Sequence, residues 1–439
     1  MNSTYVDNIV NKITDSYAEQ TEYLQAIQEL VAFSELDHSL VDSCEKYNVL
    51  ARILQPDRVI SFNVVWQNDQ GEVQVNRGWR VQHSNLIGPY KGGLRFHPSV
   101  NESVLKFLAL EQTFKNALTG LPIGGAKGGS NFDPKGKSAD EIMRFCQAFM
   151  AELYRYIGPN TDVPAGDINV GPREIGYLFG TYRRIKNKFS GAITGKDVGF
   201  GGSHVRIEST GYGVIYFVEA VLADKEQSLA KLTLTLSGAG NVALNTAKKA
   251  IEQGAKVLTL SNSSGYLLAK KGLSEEVIDE LLAQSAKPDL SDLANDTDIN
   301  WYPDKNPWEV AADIAIPCAT QNELDINDAK TLVKNGVKFV FEGANMPCTA
   351  EAINYFKDNK TNFLPAKAVN AGGVAMSTFE MGQNANFYPE TFEKMEEKLA
   401  ITMKKIHQHC VQTHSQDYLV GANSFALNRL VKAALAQGI

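Results

Sequence analysis

Residues 232–243 read LTLTLSGAGNVA, and this stretch is the clearest indication of the fold of the residues around it. Its first six residues form a short apolar run typical of a buried strand, and a helical pattern begins at Ala243. The order is therefore strand, tight glycine turn, helix. Gly238 permits the turn, Gly240 lets backbone amides approach a pyrophosphate, and Ala243 lets the helix pack close to the strand. The stretch predicts a dinucleotide site, and a purely structural turn is the alternative.

Beyond this turn, strand-like runs alternate with helical stretches. The runs AKVLTLS, DIAIP and VKFVFEG are short and apolar, and each is followed by a helical stretch. That alternation predicts a parallel, doubly wound, Rossmann-like sheet. The second strand ends at Ser261 and Asn262, where a carboxylate would bind a ribose 2′-hydroxyl. Because no carboxylate stands there, the sequence favours NADP, with NAD as the alternative; Asn262 and the neighbouring serines are also ordinary turn formers.

The first half of the chain has a different pattern. The first 55 residues or so carry apolar positions at helical spacing. Residues 58–66 and 73–82 alternate apolar and polar side chains around the turn NDQG, which predicts a β-hairpin. Further helices are expected at 104–118, 139–156, 173–185 and 214–222.

Three segments of the first half lack a clear period. GPYKGGLRF, LPIGGAKGGSNFDPKGK and PNTDVPAGDINVGP are rich in glycine and proline, and we expect irregular loops there. From Phe363 onward the sequence returns to helical patterns, and we expect no new strand.

Composition and charge exclude several classes of protein. At 439 residues the chain exceeds what one core normally supports, so two domains are expected. The net charge of −7 argues against a nucleic-acid partner, and no apolar run approaches the roughly 20 residues of a membrane span. Five widely spaced cysteines without a CxxC pair indicate reduced thiols in a cytoplasmic protein. No cluster has metal-ligand spacing, so no metal is predicted.

Three lysines lie in or beside the glycine-rich segments, namely Lys91, Lys115 and Lys127. Most lysines are solvated surface charges. Lys127 differs because the glycines on both sides of it leave no side chains to shield it from a ligand. A lysine that is partly desolvated or near other cations has a lowered pKa and can act as a base near neutral pH. Asp167 is a candidate partner for that proton, and a helix cap or loop hydrogen bond is its alternative role.

Together these segments resemble the glutamate dehydrogenase family, specifically its small hexameric type. The matching stretches run in the family's order from about Tyr90 to Gln383: GPYKGGLRFHPSV, KFLALEQTFKNALTGLPIGGAKGGSNFDPKGKS, DVPAGDINVG, FGGSHVRIESTGYG, GAGNVA, PCATQNEL, EGANMP and NAGGVAMS. The resemblance implies an α/β fold with a substrate-binding and oligomerisation domain (1–200) and a Rossmann-like dinucleotide-binding domain (201–372). C-terminal helices (373–439) would return to the first domain.

The resemblance also implies an activity and its residues. A homohexamer would interconvert L-glutamate and 2-oxoglutarate plus ammonium, with NADP or NAD as cofactor. Lys127 would be the catalytic lysine, and Asp167 would move protons to and from the amino nitrogen. The substrate residues would be Lys91 and Ser377 at the side-chain carboxylate, Gln112, Lys115 and Gly166 at the α-carboxylate, and Asn370 near the substrate pocket. The cofactor residues would be Thr210, Gly238, Gly240, Asn241, Val242, Ser261, Asn262, Ala319 and Asn345.

Two alternatives remain at this point. Dehydrogenases of leucine, phenylalanine or valine have apolar residues where Lys91 and Ser377 stand. An apolar substrate would leave Lys91 buried and unpaired, which costs about 3 kcal/mol or more. The other alternative is an inactive nucleotide-binding scaffold, against which the retained lysines argue. Among departures from the family pattern, Asn262 replaces an Asp of many NADP-using relatives, so the choice between NADP and NAD stays open. Asn169 stands where relatives often have glycine, close to Asp167, and would alter the stiffness of that loop.

Overall fold

The computed structural model describes residues 3–284, 289–295 and 298–438. The described residues form two compact units. The first unit comprises residues 1–204, 374–395 and 420–439, and the second comprises residues 205–373 and 396–419.

The first unit is built on a five-stranded mixed sheet. Its strands are β1 (Arg58–Gln67), β2 (Val73–Ser84), β3 (Tyr90–Phe96), β4 (Gly125–Ser130) and β5 (Asp162–Gly166), in the order β1-β2-β4-β3-β5. Its helices before residue 204 are α1 (Ser3–Ser16), α2 (Thr21–Ala32), α3 (His38–Lys46), α4 (Val49–Leu54), α5 (Glu102–Leu118), α6 (Ala139–Leu153) and α7 (Pro172–Lys186). The predicted hairpin is confirmed, since β1 and β2 pair antiparallel from Arg58 opposite Gln82 to Gln67 opposite Val73.

Local signals explain where the helices of this unit begin. The side chain of Asn101 accepts a hydrogen bond from the amide of Val104 and starts α5. Ser138 and Glu141 form a reciprocal capping box at the start of α6. α6 then packs its aromatic face on the sheet, where the rings of Phe132 and Phe145 stack with centroids 3.8 Å apart. The predicted helices over 104–118, 139–156 and 173–185 are confirmed within a few residues.

The expectation of irregular loops in the three glycine-rich segments was wrong, because each contains a strand, namely β3, β4 and β5. Glycine removes the side chains whose alternation would have indicated a strand. The absent side chains make room for other parts of the fold. A Cβ on Gly92 would lie 1.6 Å from the carbonyl oxygen of Ala126, and one on Gly125 would lie 1.9 Å from Oγ1 of Thr113 on α5. The glycines therefore let strands and helix approach at backbone distance.

The second unit contains a seven-stranded sheet. Its strands are β6 (Thr233–Leu236), β7 (Lys256–Asn262), β8 (Gly265–Ala269), β9 (Ile299–Pro303), β10 (Ile314–Ile316), β11 (Phe339–Phe341) and β12 (Asn362–Leu364), in the order β12-β11-β10-β6-β7-β8-β9. Its helices up to residue 369 are α8 (Ser209–Ala223), α9 (Asn241–Glu252), α10 (Glu275–Ala283), α11 (Ile326–Lys334), α12 (Ala350–Asp358) and α13 (Ala366–Val369). Short 3-10 turns lie at Val198–Phe200 in the first unit and at Leu290–Asn295 and Pro307–Glu309 in the second.

The predicted doubly wound fold is confirmed in the five neighbouring parallel strands from β12 to β7. Both faces of this sheet are covered. Val340 joins a core cluster with Ala329 of α11 and Ala352 of α12, whereas Phe341 contacts Phe217 of α8 on the other face.

Three strands of this unit were not predicted. β8 and β9 pair antiparallel beside β7, and β12 lies at Phe363, where only helices were expected. The predicted strands β10 and β11 are just as short, but all their residues are apolar, whereas β9 and β12 include polar residues and β8 begins with a glycine.

The C-terminal part contains α14 (Gly372–Asn386), α15 (Phe392–Thr413) and α16 (Tyr418–Ala436). We expected all of residues 373–439 to return to the first domain, but residues 396–419 group with the second unit. Polar contacts explain the difference. Glu396 pairs with Lys249 of α9 at 2.6 Å, and His407 Nε2 lies 2.6 Å from a carboxylate oxygen of Asp224.

Within the described ranges, no helix combines the length and apolar character needed to cross a membrane. All five cysteines are free and buried. The described residues also contain no group of three or more His, Cys, Asp or Glu side chains arranged to hold a metal ion.

Candidate active site

The lysine site of the first unit comprises Lys91, Lys115, Lys127 and Asp167. Lys91 lies on β3, Lys127 lies on β4, and Asp167 directly follows β5. These three strands are neighbours, with β3 parallel to both β4 and β5. Lys115 lies on α5, the helix that packs on β4 through Gly125. The sheet and this helix therefore hold three amines and one carboxylate within the same unit.

Asp167 binds two cations. Its Oδ1 lies 3.1 Å from Nζ of Lys127, and its Oδ2 accepts a 2.7 Å hydrogen bond from Nε of Arg95. The side chain of Lys127 is only 7% exposed. The carboxylate thus forms two ion pairs on the sheet, which differs from the helix cap that the sequence left as an alternative.

These contacts perturb the pKa values of the site. Burial would raise the pKa of Asp167, but the charges of Lys127 and Arg95 outweigh it and lower the pKa to about 2. Burial lowers the pKa of Lys127, helped by the nearby guanidinium groups and opposed by Asp167. Burial also lowers the pKa of Lys115 to about 8, with a further contribution from the charge of Lys127. Burial and neighbouring charges thus shift the pKa values of three titratable groups, as is typical of catalytic sites.

Lys91 lies deeper in the unit and is 1% exposed. Its Nζ donates hydrogen bonds to the carbonyl of Val163 at 3.0 Å and to Oγ1 of Thr194 at 2.7 Å. Ser377, expected to act with Lys91, is buried on α14. The next turn of α14 carries Glu380, whose carboxylate accepts a 2.9 Å hydrogen bond from the amide of Gly195, the residue after Thr194. The 193–196 segment therefore connects Lys91 to the helix that carries Ser377.

The other expected substrate residues occupy nearby elements. Gln112 lies on α5 and donates a 2.7 Å hydrogen bond to Asn116. Gly166 ends β5, and a Cβ there would lie 2.3 Å from the carbonyl oxygen of Val170. Asn169 has φ +58°, a left-handed conformation that glycine and asparagine adopt most readily. Its Nδ2 also donates a 2.9 Å hydrogen bond to the carbonyl of Phe96, which ties the loop to the end of β3.

The glycine turn of the second unit comprises residues 237–242 between β6 and α9. Gly238 has φ +84°, and a Cβ there would lie 3.1 Å from the carbonyl oxygen of Cys318, so the turn requires glycine. Gly240 precedes α9, and a Cβ on it would meet nothing within 4 Å. The turn thus leaves open space at the start of α9, where the amides of Asn241 and Val242 begin the helix. A pyrophosphate fits this arrangement of open glycine backbone and helix N-terminus.

The remaining cofactor candidates of the second unit lie at the carboxyl end of β7 or follow those of β10 and β11. Ser261 accepts a 2.9 Å hydrogen bond from the amide of Gly238, and Asn262 accepts one of 2.8 Å from the amide of Ser264. Ala319 donates its amide to Glu323. This edge is where open α/β sheets bind ligands.

Three further contacts place the other candidates. Asn370 donates a 2.9 Å hydrogen bond to Asn345, and both belong to the second unit. Asn241 donates to the carbonyl of Ile207 at 2.7 Å. Thr210 lies in the first turn of α8, where its Oγ1 would be 2.7 Å from a Cβ on Gly373. The structure thus gathers the cofactor candidates in one unit.

Sequence reasoning did not single out several residues that contact the lysine site or support the segments beside it. Arg95 stands inside the quoted motif GPYKGGLRFHPSV, where an arginine four residues after Lys91 was the available signal. Thr194, Lys196 and Glu380 gave no such signal, because their partners lie far away in the sequence. Lys196 and Glu380, for example, are 184 residues apart.

Comparisons with known proteins agree with this geometry. The family profile for Glutamate/Leucine/Phenylalanine/Valine dehydrogenase matches residues 201–438, and the Glu/Leu/Phe/Val dehydrogenase dimerisation domain matches residues 56–184. The chain is 50% identical to the NADP-specific glutamate dehydrogenase of Psychrobacter sp., over 99% of each chain. It is 48% identical to the NAD-specific glutamate dehydrogenase of Bacteroides fragilis, again over 99% of each. The crystal structure of Plasmodium falciparum glutamate dehydrogenase superposes with a TM-score of 0.95 at 45% identity, covering all of this chain and 95% of that one.

Proposed function

The chain belongs to the Glu/Leu/Phe/Val dehydrogenase family, and we propose that it is a glutamate dehydrogenase, which interconverts L-glutamate and 2-oxoglutarate plus ammonium with a nicotinamide cofactor. The observation that carries the proposal is the buried Lys127–Asp167 pair in the same unit as the deeply buried amine of Lys91. The full-length relatives named glutamate dehydrogenase support it.

The substrate follows from the charges of the lysine site. 2-Oxoglutarate is a dianion, and a protein of net charge −7 needs a local positive pocket to hold it. Lys115 would hold the α-carboxylate with Gln112 and the amide of Gly166. Lys91 and Ser377 would hold the distal carboxylate. The buried ammonium of Lys91 favours a carboxylate over an apolar side chain, so leucine or valine is disfavoured.

The chemistry follows from the Lys127–Asp167 pair. The α-ammonium group of glutamate would first release a proton to solvent, and a nicotinamide bound at the glycine turn would then supply the hydride acceptor for Cα, which converts the substrate to an iminium. Burial lowers the pKa of Lys127, so its amine can take a proton from the water that adds to the iminium carbon. Asp167, 3.1 Å from the amine, carries this proton to the substrate nitrogen. As the carbonyl forms, Lys127 takes the hydroxyl proton and ammonia leaves, so hydrolysis of the iminium leaves one proton on the lysine.

Both cofactors are compatible with the glycine turn, and NADP is favoured. Asn262 is neutral and its oxygen accepts the amide of Ser264, so no carboxylate at this position opposes a 2′-phosphate. The relatives include NADP-specific and NAD-specific enzymes. NAD therefore remains the alternative.

We further propose that the enzyme is a cytoplasmic homohexamer. β1 lies at the edge of the first sheet, with Val65 more than half exposed, and Val73 and Val75 stand exposed on the adjacent strand. The unpaired backbone groups of such an edge can pair with another chain. The five free thiols suit a reducing compartment. Light scattering after gel filtration measures the mass, and six chains of 48.1 kDa are expected.

The activity is tested by following oxidation of NADPH and NADH with 2-oxoglutarate and ammonium. 2-Oxoisocaproate is the matched apolar substrate. We expect turnover with 2-oxoglutarate, faster with NADPH, and little with 2-oxoisocaproate. Preference for 2-oxoisocaproate would assign the chain to an apolar amino-acid dehydrogenase, and no ammonium-dependent oxidation with either substrate would indicate an inactive scaffold.

A further inference from the structure

Lys196 and Glu380 form a fully buried ion pair in the first unit, with side chains 1% and 0% exposed. Nζ of Lys196 lies 2.6 Å from Oε1 of Glu380, and it also donates to the carbonyl of Ile193 at 2.6 Å and to Oδ1 of Asn384 at 2.8 Å. The second oxygen of Glu380 accepts the amide of Gly195 at 2.9 Å. Both charges therefore have several partners. A buried pair of this kind contributes little net stability, and its best-attested use is to fix one arrangement of the chain.

The pair joins the two segments that would hold the distal carboxylate of the substrate. One is the 193–196 segment, in which buried Thr194 accepts the hydrogen bond of Lys91 and donates its own amide to the carbonyl of Pro164. The other is α14, on which Ser377 lies three residues before Glu380 and hence on the same helix face. The carboxylate of Glu380 holds both Gly195 and Lys196, the two residues after Thr194.

We propose that the Lys196–Glu380 pair is a positioning device, which fixes the spacing between Lys91 and Ser377 and so selects a substrate by the distance between its two carboxylates. This inference rests on the proposed function. Neither residue touches the substrate in this proposal. The pair acts through its neighbours, which are Thr194 in the 193–196 segment and Ser377 on α14. The reacting carbon is held by Lys115, Lys127 and Asp167, which have no contact with the pair among the described hydrogen bonds and ion pairs.

The test compares 2-oxo diacids of four, five and six carbons. The double variant Lys196→Met/Glu380→Met removes both charges at similar volume, so that no buried charge is left alone. The single variant Glu380→Gln keeps an oxygen for Gly195 and removes only the charge. Steady-state KM and kcat are measured for oxaloacetate, 2-oxoglutarate and 2-oxoadipate, together with the KM for the cofactor and the Tm.

We expect the KM for 2-oxoglutarate to rise about tenfold or more in the double variant, because displacements near 1 Å at a binding group have effects of this size. The kcat and the cofactor KM should stay within about threefold of the wild type, as a loss of uniform binding predicts. The preference for five carbons over six should fall by a similar factor. Glu380→Gln should show the same pattern with a smaller change.

The matched control is Glu102→Gln/Lys106→Met, which removes another ion pair of the same unit whose lysine side chain is 4% exposed. It should leave the chain-length preference unchanged. A wild-type preference in both Lys196 and Glu380 variants, or parallel losses of Tm and kcat at constant preference, would overturn the positioning role. Absence of any 2-oxoglutarate turnover in the wild type would instead overturn the proposed function.

Discussion

The lysine site and the glycine turn, which we propose bind the substrate and the cofactor, rely on different kinds of chemical group. The lysine site uses charged side chains that are buried and shift one another's pKa values. The glycine turn uses backbone amides, a left-handed glycine and neutral side chains such as Ser261. We therefore expect substitutions to affect activity through charge in the first unit and cofactor binding through backbone shape in the second.

Replacing Lys127 tests the charge side of this comparison most strongly. In Lys127→Ala we expect kcat to fall by about 10³-fold or more, because the proton acceptor and its ion pair with Asp167 are lost. The dissociation constant of the cofactor, measured by fluorescence titration, should not change. Lys135→Ala is the control, since Lys135 is exposed and lies in the same glycine-rich segment. A near-normal kcat in Lys127→Ala would remove the role assigned to this lysine.

Replacing Gly240 tests the backbone side. Its added methyl would meet no protein atom within 4 Å, so Gly240→Ala should leave the Tm unchanged. The methyl would instead occupy the space through which a pyrophosphate reaches the backbone, and we expect the dissociation constant of NADPH to rise about 10- to 100-fold. Titration of Gly180→Ala, another glycine with open space around it, gives the control. Unchanged cofactor affinity in Gly240→Ala would show that the turn is purely structural.

Alkaline pH separates the two sites, because only substrate binding at the lysine site should depend on pH in this range. The pKa of Lys115 is lowered to about 8, so its amine is charged below pH 8 and neutral above it. Binding of the α-carboxylate needs the charge, and the KM for 2-oxoglutarate should rise by about tenfold per pH unit above 8. The measurement runs from pH 7 to 9 at saturating ammonium and cofactor. Lys115→Arg stays charged throughout and should flatten the rise; an equal rise in this variant would point to another group.

The smallest change, in the KM for NADPH, is expected from placing a charge in the otherwise neutral cofactor site. Asn262→Asp would put a carboxylate at the end of β7, where it would repel a 2′-phosphate by about 1 kcal/mol at the protein surface. We expect the KM for NADPH to rise about fivefold, with the KM for NADH unchanged or lower. Asn262→Ser is the neutral control for the loss of the turn hydrogen bond to Ser264. An unchanged ratio of the two KM values would place the 2′-position away from residue 262.

The sequence predicted the parts of the fold whose pattern is local. The β6 turn and α9 were recognisable because strand, glycines and helix follow one another within residues 232–252. β3 and β4 were not, because glycine erases the alternation of side chains. The pairing of β12 with β11 depends on a neighbour outside its own three residues.

The sequence predicted those residues of the lysine site whose own type and nearest sequence neighbours indicate a function. Lys127 stood out among four glycines, and the resemblance supplied roles for Lys91 and Lys115. Arg95 and Glu380 were missed because their importance lies in contacts made across the fold, with Asp167 and with Lys196. A charge on its own does not indicate which opposite charge folding will bring next to it.

The glycines of β3 and β4 limit how this enzyme can acquire new substrates. Neighbouring strands lie about 4.8 Å apart, a spacing fixed by backbone hydrogen bonds. Gly92 already meets the carbonyl of Ala126, and Gly125 meets Thr113, so even an alanine at either position would force the strands or α5 apart. A smaller residue is equally impossible at these positions, since glycine has no side chain to shorten. A change in the length of the proposed substrate site therefore has to come from the 193–196 segment and α14, while β3 and β4 stay constant.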